Sequence, residues 1–172
     1  MNRRNILSLS AMTAFGLALL PGSAVAQQKT LKDQLVGAWT LVSNQTTAPD
    51  GTKLQSFFGT DPKGILIFDA SGRYAAVTGR PGRPKLKPSA NLRKDTPAAE
   101  FGEAARAFAA NFGTWSVNEA DKTLIRKFQI ALIPNNDSNE TKASVSLAGD
   151  ELRLTITPAA GGKNETVFRR AK

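Results

Sequence analysis

The sequence predicts an all-β fold: one antiparallel β-barrel with a single inserted helix. Three observations predict it. Short runs rich in β-branched and aromatic residues recur from residue 35 to residue 170, turn-like clusters of Gly, Pro, Asn and Asp separate them, and only one stretch has helical periodicity. Short strands joined by turns favour a barrel or sandwich over an α/β layer fold. A barrel is preferred because closure removes the edge strands. No internal repeat or second domain is evident.

The N-terminus reads as an address. Arg3 and Arg4 precede an uncharged run over residues 6–20, Pro21 and Gly22 break it, and Ala24-Val25-Ala26 offers a small-x-small cleavage site. That order of charge, apolar core and small residues is a secretory signal. The apolar core falls short of the ~20 residues of a membrane span. Residues 1–26 are therefore expected to be a signal peptide cleaved after Ala26, and 27–172 to be one domain, periplasmic or secreted. The paired arginines suit either the general or the twin-arginine route.

Each element of the domain has a local reason. Residues 27–33 are polar and read as a flexible lead-in. Residues 35–43, Leu-Val-Gly-Ala-Trp-Thr-Leu-Val-Ser, read as a strand, and residues 44–59 as mixed structure around the turn Pro49-Asp50-Gly51. Residues 64–68 and 73–78 form a hairpin about Asp69-Ala70-Ser71-Gly72. Pro81, Pro84 and Pro88 make residues 79–95 a long loop. A helix is expected from Thr96 as N-cap and Pro97 at the first helical position to Gly113, with Phe101, Ala104, Ala105, Phe108 and Phe112 on one face packing against the barrel.

Strands resume at 114–117. Residues 123–133 read as a long strand with Leu124, Arg126, Phe128, Ile130 and Leu132 on one apolar, inward face. Residues 134–139 are turn-like. Residues 141–147 and 151–157 pair about Ala148-Gly149-Asp150, and 165–170 is the last strand.

Composition excludes several chemistries. The chain of 172 residues has neither Cys nor His, which removes thiol nucleophiles, disulfides, His-based triads and the commonest metal ligand. No cofactor and no metal is implied. The formal charge is +9, but no basic stretch is interleaved with aromatics as a base-stacking platform requires, so nucleic acid is not an expected partner. Arg80, Arg83, Lys85, Lys87, Arg93 and Lys94 concentrate in the Pro-rich loop. They read either as a solvated loop or as a weak contact with an anionic surface, without a stable membrane anchor.

Taken in order, several segments resemble the bacterial lipocalin-like domain family. They are Leu35-Val36-Gly37-Ala38-Trp39-Thr40-Leu41-Val42-Ser43, Asp61-Pro62-Lys63-Gly64-Ile65-Leu66-Ile67-Phe68, Ser71-Gly72-Arg73-Tyr74, Phe112-Gly113-Thr114-Trp115-Ser116-Val117 and Val167-Phe168-Arg169-Arg170. The resemblance implies a lipocalin-like barrel of about eight strands with an apolar interior, in a secreted or periplasmic and largely uncharacterised family. It also implies that Trp39 closes one barrel end with Arg170 stacked upon it. Relatives carry a His-His pair where this chain has Arg126-Lys127, and Trp where it has Asn136. A site built on those positions has different chemistry here.

The candidate ligand-binding residues are Arg126, Phe128, Tyr74, Trp115 and Phe68. An inward Arg126 needs a counter-group, because a buried unpaired charge is very unfavourable. It reads either as a receptor for a ligand carboxylate or as an arginine near the strand end that snorkels to the rim or pairs with an acid such as Glu165. Tyr74, the only tyrosine, offers a pocket hydroxyl or a rim cap. Phe68, Trp115 and Phe128 read as lining the interior, with plain core packing the stronger reading for each.

The expected function is non-enzymatic binding of a small hydrophobic or amphipathic molecule, an anionic one included. Two alternatives stay open. One is a protein-interaction module with a filled barrel and a basic contact loop; the other is a cofactor-free isomerase or cyclase of a polyketide-like substrate, against which the missing acid–base pair counts.

Overall fold

The computed structural model describes residues 29–172; the expected signal peptide lies outside the described residues. Nine strands run in chain order: β1 (Gly37–Thr47), β2 (Lys53–Leu54), β3 (Lys63–Phe68), β4 (Arg73–Gly79), β5 (Phe108–Asn118), β6 (Thr123–Ala131), β7 (Glu140–Ala148), β8 (Glu151–Ile156) and β9 (Lys163–Arg170). Eight of them pair antiparallel with their neighbours and close where β1 meets β9, while β2 adds two residues to the end of β1. The fold class read from the sequence is the one observed.

Turn chemistry sets the hairpin register. Between β3 and β4, the Asp69 carboxylate accepts from Ser71 N at 2.6 Å, and Gly72 takes φ +88°, which a side chain disfavours. Phe68 then pairs with Tyr74, and Leu66 with Ala76. From that register inward and outward positions alternate round the barrel.

The interior is divided along its axis. One end is filled by Trp39, Leu66, Phe68, Trp115, Leu124 and Leu152, all buried. Full burial of each large apolar side chain contributes about 1.5–3 kcal/mol, so this half holds the barrel together. A short helix, α1 (Leu31–Leu35), covers that end. Thr30 caps it by accepting from Asp33 N at 3.1 Å, and the Glu119 carboxylate accepts from Leu31 N and Lys32 N at 2.9 Å each. The acid thus satisfies two of the free N–H groups that every helix start exposes. From Leu31 onward the lead-in expected to be flexible is therefore a plug, and Leu35, expected to open the first strand, ends its helix and is fully buried.

Two further expectations are corrected. The inserted helix, α3 (Ala98–Arg106), stops short of Gly113, and Phe108 to Phe112 belong to β5. Thr96 follows a separate turn of helix, α2 (Leu92–Asp95), and Pro97 rather than Thr96 precedes α3. Positions 104, 108 and 112 share a face in a helix and in a strand alike, so spacing could not separate the two. Pairing decides it: Val77 opposes Ala110 and Gly79 opposes Phe108, giving the last residues of β4 the backbone partners they need. The aromatic stripe thus does not pack a helix onto the barrel. Phe101 and Phe112 remain exposed.

The face expected along 124–132 also breaks. Phe112 pairs with Ile130 but Gly113 pairs with Phe128, so Gln129 is an extra residue, a β-bulge. Leu124, Arg126 and Phe128 keep the inward side. Beyond the bulge the parity flips, and Ile130 turns outward, 54% exposed. Gly113 is required here: a Cβ at that position would collide with the Lys127 carbonyl. A second bulge at Val42 turns Asn44 and Thr46 inward, opposite Thr166 and Asn164.

Candidate functional site

The candidate residues divide between the two ends. At the plugged end Arg170 Cζ lies 4.2 Å from the Trp39 ring centroid. The same guanidinium donates to Gln34 O at 2.7 Å and Val36 O at 3.3 Å, and Trp39 Nε1 donates to Leu35 O at 2.8 Å. The pair ties β1, β9 and the plug into one seal. Phe68 and Trp115 belong to this half, with ring centroids 4.6 Å apart and Trp115 Nε1 donating to Asp69 O at 3.0 Å. Their surroundings are packed core.

The other end is hollow. A cavity of about 130 Å³ is lined by residues that include Leu41, Asn44, Phe58, Asn111, Arg126 and Phe168. It lies at the end where β1 runs out and β3 begins, bridged by residues 48–62. A second hollow of about 300 Å³, under Leu54, Phe57 and Phe58, shares Asn44, Phe58 and Asn164 with it. Together they make a mouth. Phe57 stands at its rim, 82% exposed.

Arg126 enters the cavity from β6, between Trp115 on β5 and Thr141 on β7. Among the described residues no carboxylate pairs with it. Glu165, the acid considered from sequence, is engaged by Arg153 at 2.7 Å and Lys163 at 3.8 Å. Arg126 Nε is buried without a hydrogen-bond partner, as are Tyr74 Oη, Asn111 Oδ1 and Thr141 Oγ1. Buried polar atoms are nearly always satisfied, so four orphans on adjacent strands β4, β5, β6 and β7 form an unusual concentration.

The electrostatics follow from burial. The guanidinium Cζ sits 5.6 Å from the Tyr74 ring centroid, and Tyr74 meets Phe128 at 6.4 Å across the side-chain-free Gly113. Burial pushes the Tyr74 phenol up to about 12, with the Arg126 charge pulling the other way. Burial likewise lowers the Arg126 pKa, against the smaller influence of Tyr74. Both shifts express the same fact: charge is disfavoured here unless something compensates it. An anion with acceptor oxygens meets that need through the fork of guanidinium donors.

The structure thus brings Arg126, Tyr74 and Phe128 together and leaves Phe68 and Trp115 in the packed half. Sequence reading missed Asn111, Thr141, Asn44 and Phe58. Carrying the alternation of Trp115 and Gly113 back two residues would have placed Asn111 inward. Asn44 had no such signal, because the bulge at Val42 shifts it. The basic loop leaves β4 at the mouth end. There Arg83 Cζ lies 5.0 Å from the Phe108 ring centroid and Arg83 donates to Ala104 O at 3.3 Å; Lys87 N donates to the Glu100 carboxylate at 3.3 Å.

The chain is similar to several solved structures. A lipocalin-like protein from Bacteroides uniformis is 20% identical, covering 80% of this chain and 98% of its own, with a TM-score of 0.40. Secretory abundant heat soluble protein 4 from Ramazzottius varieornatus is 17% identical, covering 84% and 99%, with a TM-score of 0.41. A redesigned β-barrel is 12% identical, covering 82% and 95%, with a TM-score of 0.42. No curated protein matches the sequence. The profile of the lipocalin-like domain matches residues 36–170, from the end of the plug to the last strand. On that match, which spans the whole barrel, the chain belongs to the lipocalin-like domain family.

Proposed function

We propose that this protein is an exported, non-enzymatic carrier or sensor that holds one small amphipathic molecule in the mouth half of its barrel. The observation that carries the reading is Arg126: a guanidinium facing an internal cavity, with no acid partner among the described residues. A structural arginine would be expected to pair within the fold, as Arg153 and Arg170 do. Barrels of about this size either fill with side chains or hold a single ligand, and the division of this interior supports the second arrangement. Export rests on the residue pattern of positions 1–26. The mouth-side basic loop, with Arg80, Arg83, Lys85, Lys87, Arg93 and Lys94, adds a weak affinity for anionic surfaces.

Native mass spectrometry of protein isolated from its own host, followed by organic extraction, tests this. The expected result is a co-purifying small molecule that is absent from an Arg126→Ala preparation. A bare polypeptide mass that stays bare after incubation with an organic extract of the host would contradict the reading.

A further inference from the structure

The two walls of the cavity differ in a way that narrows the ligand class. On β1 and β9 the polar side chains satisfy one another. Asn44 Nδ2 donates to Thr166 Oγ1 at 2.8 Å, and Asn164 Nδ2 to Thr46 Oγ1 at 2.9 Å. Across the barrel Arg126 and Asn111 line the cavity with unmatched atoms, and the unmatched atoms of Thr141 and Tyr74 lie on the flanking strands β7 and β4, outside its lining. Unmet demand is thus confined to one wall, and its one charge is a guanidinium.

One cation in a low-dielectric site is balanced by a monoanion. Phosphate monoesters, which carry about −1.5 to −2 near neutral pH, would bring charge that nothing else at the wall compensates. A carboxylate carries one charge on two oxygens, the arrangement a guanidinium fork matches.

Volume sets the orientation. At about 30 Å³ for each water-sized group, a cavity of 130 Å³ takes about four such groups, enough for a carboxylate and one or two carbons. Deeper positions are closed by Trp115, Phe68 and Leu124. The route that continues is outward past Phe58 into the second hollow, whose 300 Å³ takes about ten more groups of that size. Phe57 lies on that route with its ring in solvent. Covering it removes apolar surface from water.

We infer that the chain binds a medium-length monocarboxylic acid head-inward, its carboxylate on Arg126 and its tail passing Phe58 to lie against Leu54 and Phe57 at the mouth. This rests on the carrier reading and specifies its ligand.

Calorimetric titration of the protein with octanoate, methyl octanoate, octanol, butanoate and inorganic phosphate tests it. Octanoate is expected to bind, with the ester and the alcohol at least about tenfold weaker because they lose the charge-assisted bond. Arg126→Met is expected to erase that preference. Phe57→Ser is expected to weaken octanoate by severalfold and to leave butanoate unchanged. Ester binding as tightly as the acid, phosphate binding more tightly than octanoate, or an acid preference that survives Arg126→Met would overturn the head-inward acid and leave a carrier of another ligand standing. Loss of octanoate and butanoate affinity in equal measure on Phe57→Ser would overturn the tail placement. Should no member of the series bind, the acid proposal fails, and the extraction experiment then decides the carrier reading separately. If Arg126→Met does not fold, the acid-to-ester ratio in the unmodified protein still decides.

Discussion

Arg126 and Tyr74 face each other inside the barrel, guanidinium carbon 5.6 Å from ring centroid, and each keeps a buried polar atom without a protein partner. The ring takes part of the cationic charge through its face. It does not supply the acceptor that Arg126 Nε requires, and it leaves its own hydroxyl free.

Tyr74 is the only tyrosine in the chain, so its ionisation can be followed alone by tyrosinate absorbance. Below pH 10 the folded and unfolded chains both keep the phenol protonated, and stability does not depend on it. Between 10 and about 12 the unfolded chain releases the proton while the folded one retains it, so stability falls as pH rises through that window. The absorbance midpoint of the folded protein is expected near 12, and higher still in Arg126→Met, because the nearby positive charge favours the phenolate. A midpoint at the ordinary value of 10 would place the hydroxyl in solvent.

The seal at the other end has a separate expected cost. Arg170→Ala removes the cation–π contact with Trp39 and two bonds to backbone carbonyls. Together these should lower stability by about 2 kcal/mol, read as a lowered urea midpoint at unchanged slope. Arg170→Lys should recover less than half, since an ammonium cannot reproduce the planar fork that reaches Gln34 and Val36 while stacked on the indole.

Gly113 tests the bulge. A methyl at that position meets the Lys127 carbonyl, which is backbone and has no freedom to move aside. Gly113→Ala should cost about 3 kcal/mol, while Gly102→Ala, where a Cβ meets nothing, should be neutral or slightly stabilising because α3 gains a better helix former. Equal effects of the two substitutions on thermal denaturation would mean that the bulge is not as described.

Most of the barrel was legible from alternation and turn chemistry, because a strand with one buried face records that face in every second residue. The hairpin from Gly64 through Thr78 needed nothing more. What sequence reading missed traces to places where a period is broken or shared. Phe108 and Phe112 satisfy helical and strand spacing at once, so the start of β5 became visible only from its pairing with β4. Bulges at Val42 and Gln129 change parity without leaving any residue-type signal. They sent Ile130 outward and Asn44 inward, against simple alternation. Arg126 lay on the near side of its bulge, which is why a candidate inward charge could be picked out. Its neighbours Asn111 and Thr141 come from other strands, and only the pairing of β5 and β7 with β6 brings them beside it.

The measurement that bears most directly on the central claim is the urea stability of Arg126→Met in the absence of any added ligand. If Arg126 is held in the barrel for a ligand's sake, replacing an uncompensated buried charge with an apolar side chain of similar length should leave stability unchanged or raise it by about 1–4 kcal/mol. A loss of about 3–5 kcal/mol, the cost of breaking a buried pair, would instead mean that the arginine is part of the fold's own network and would contradict its assignment to a ligand.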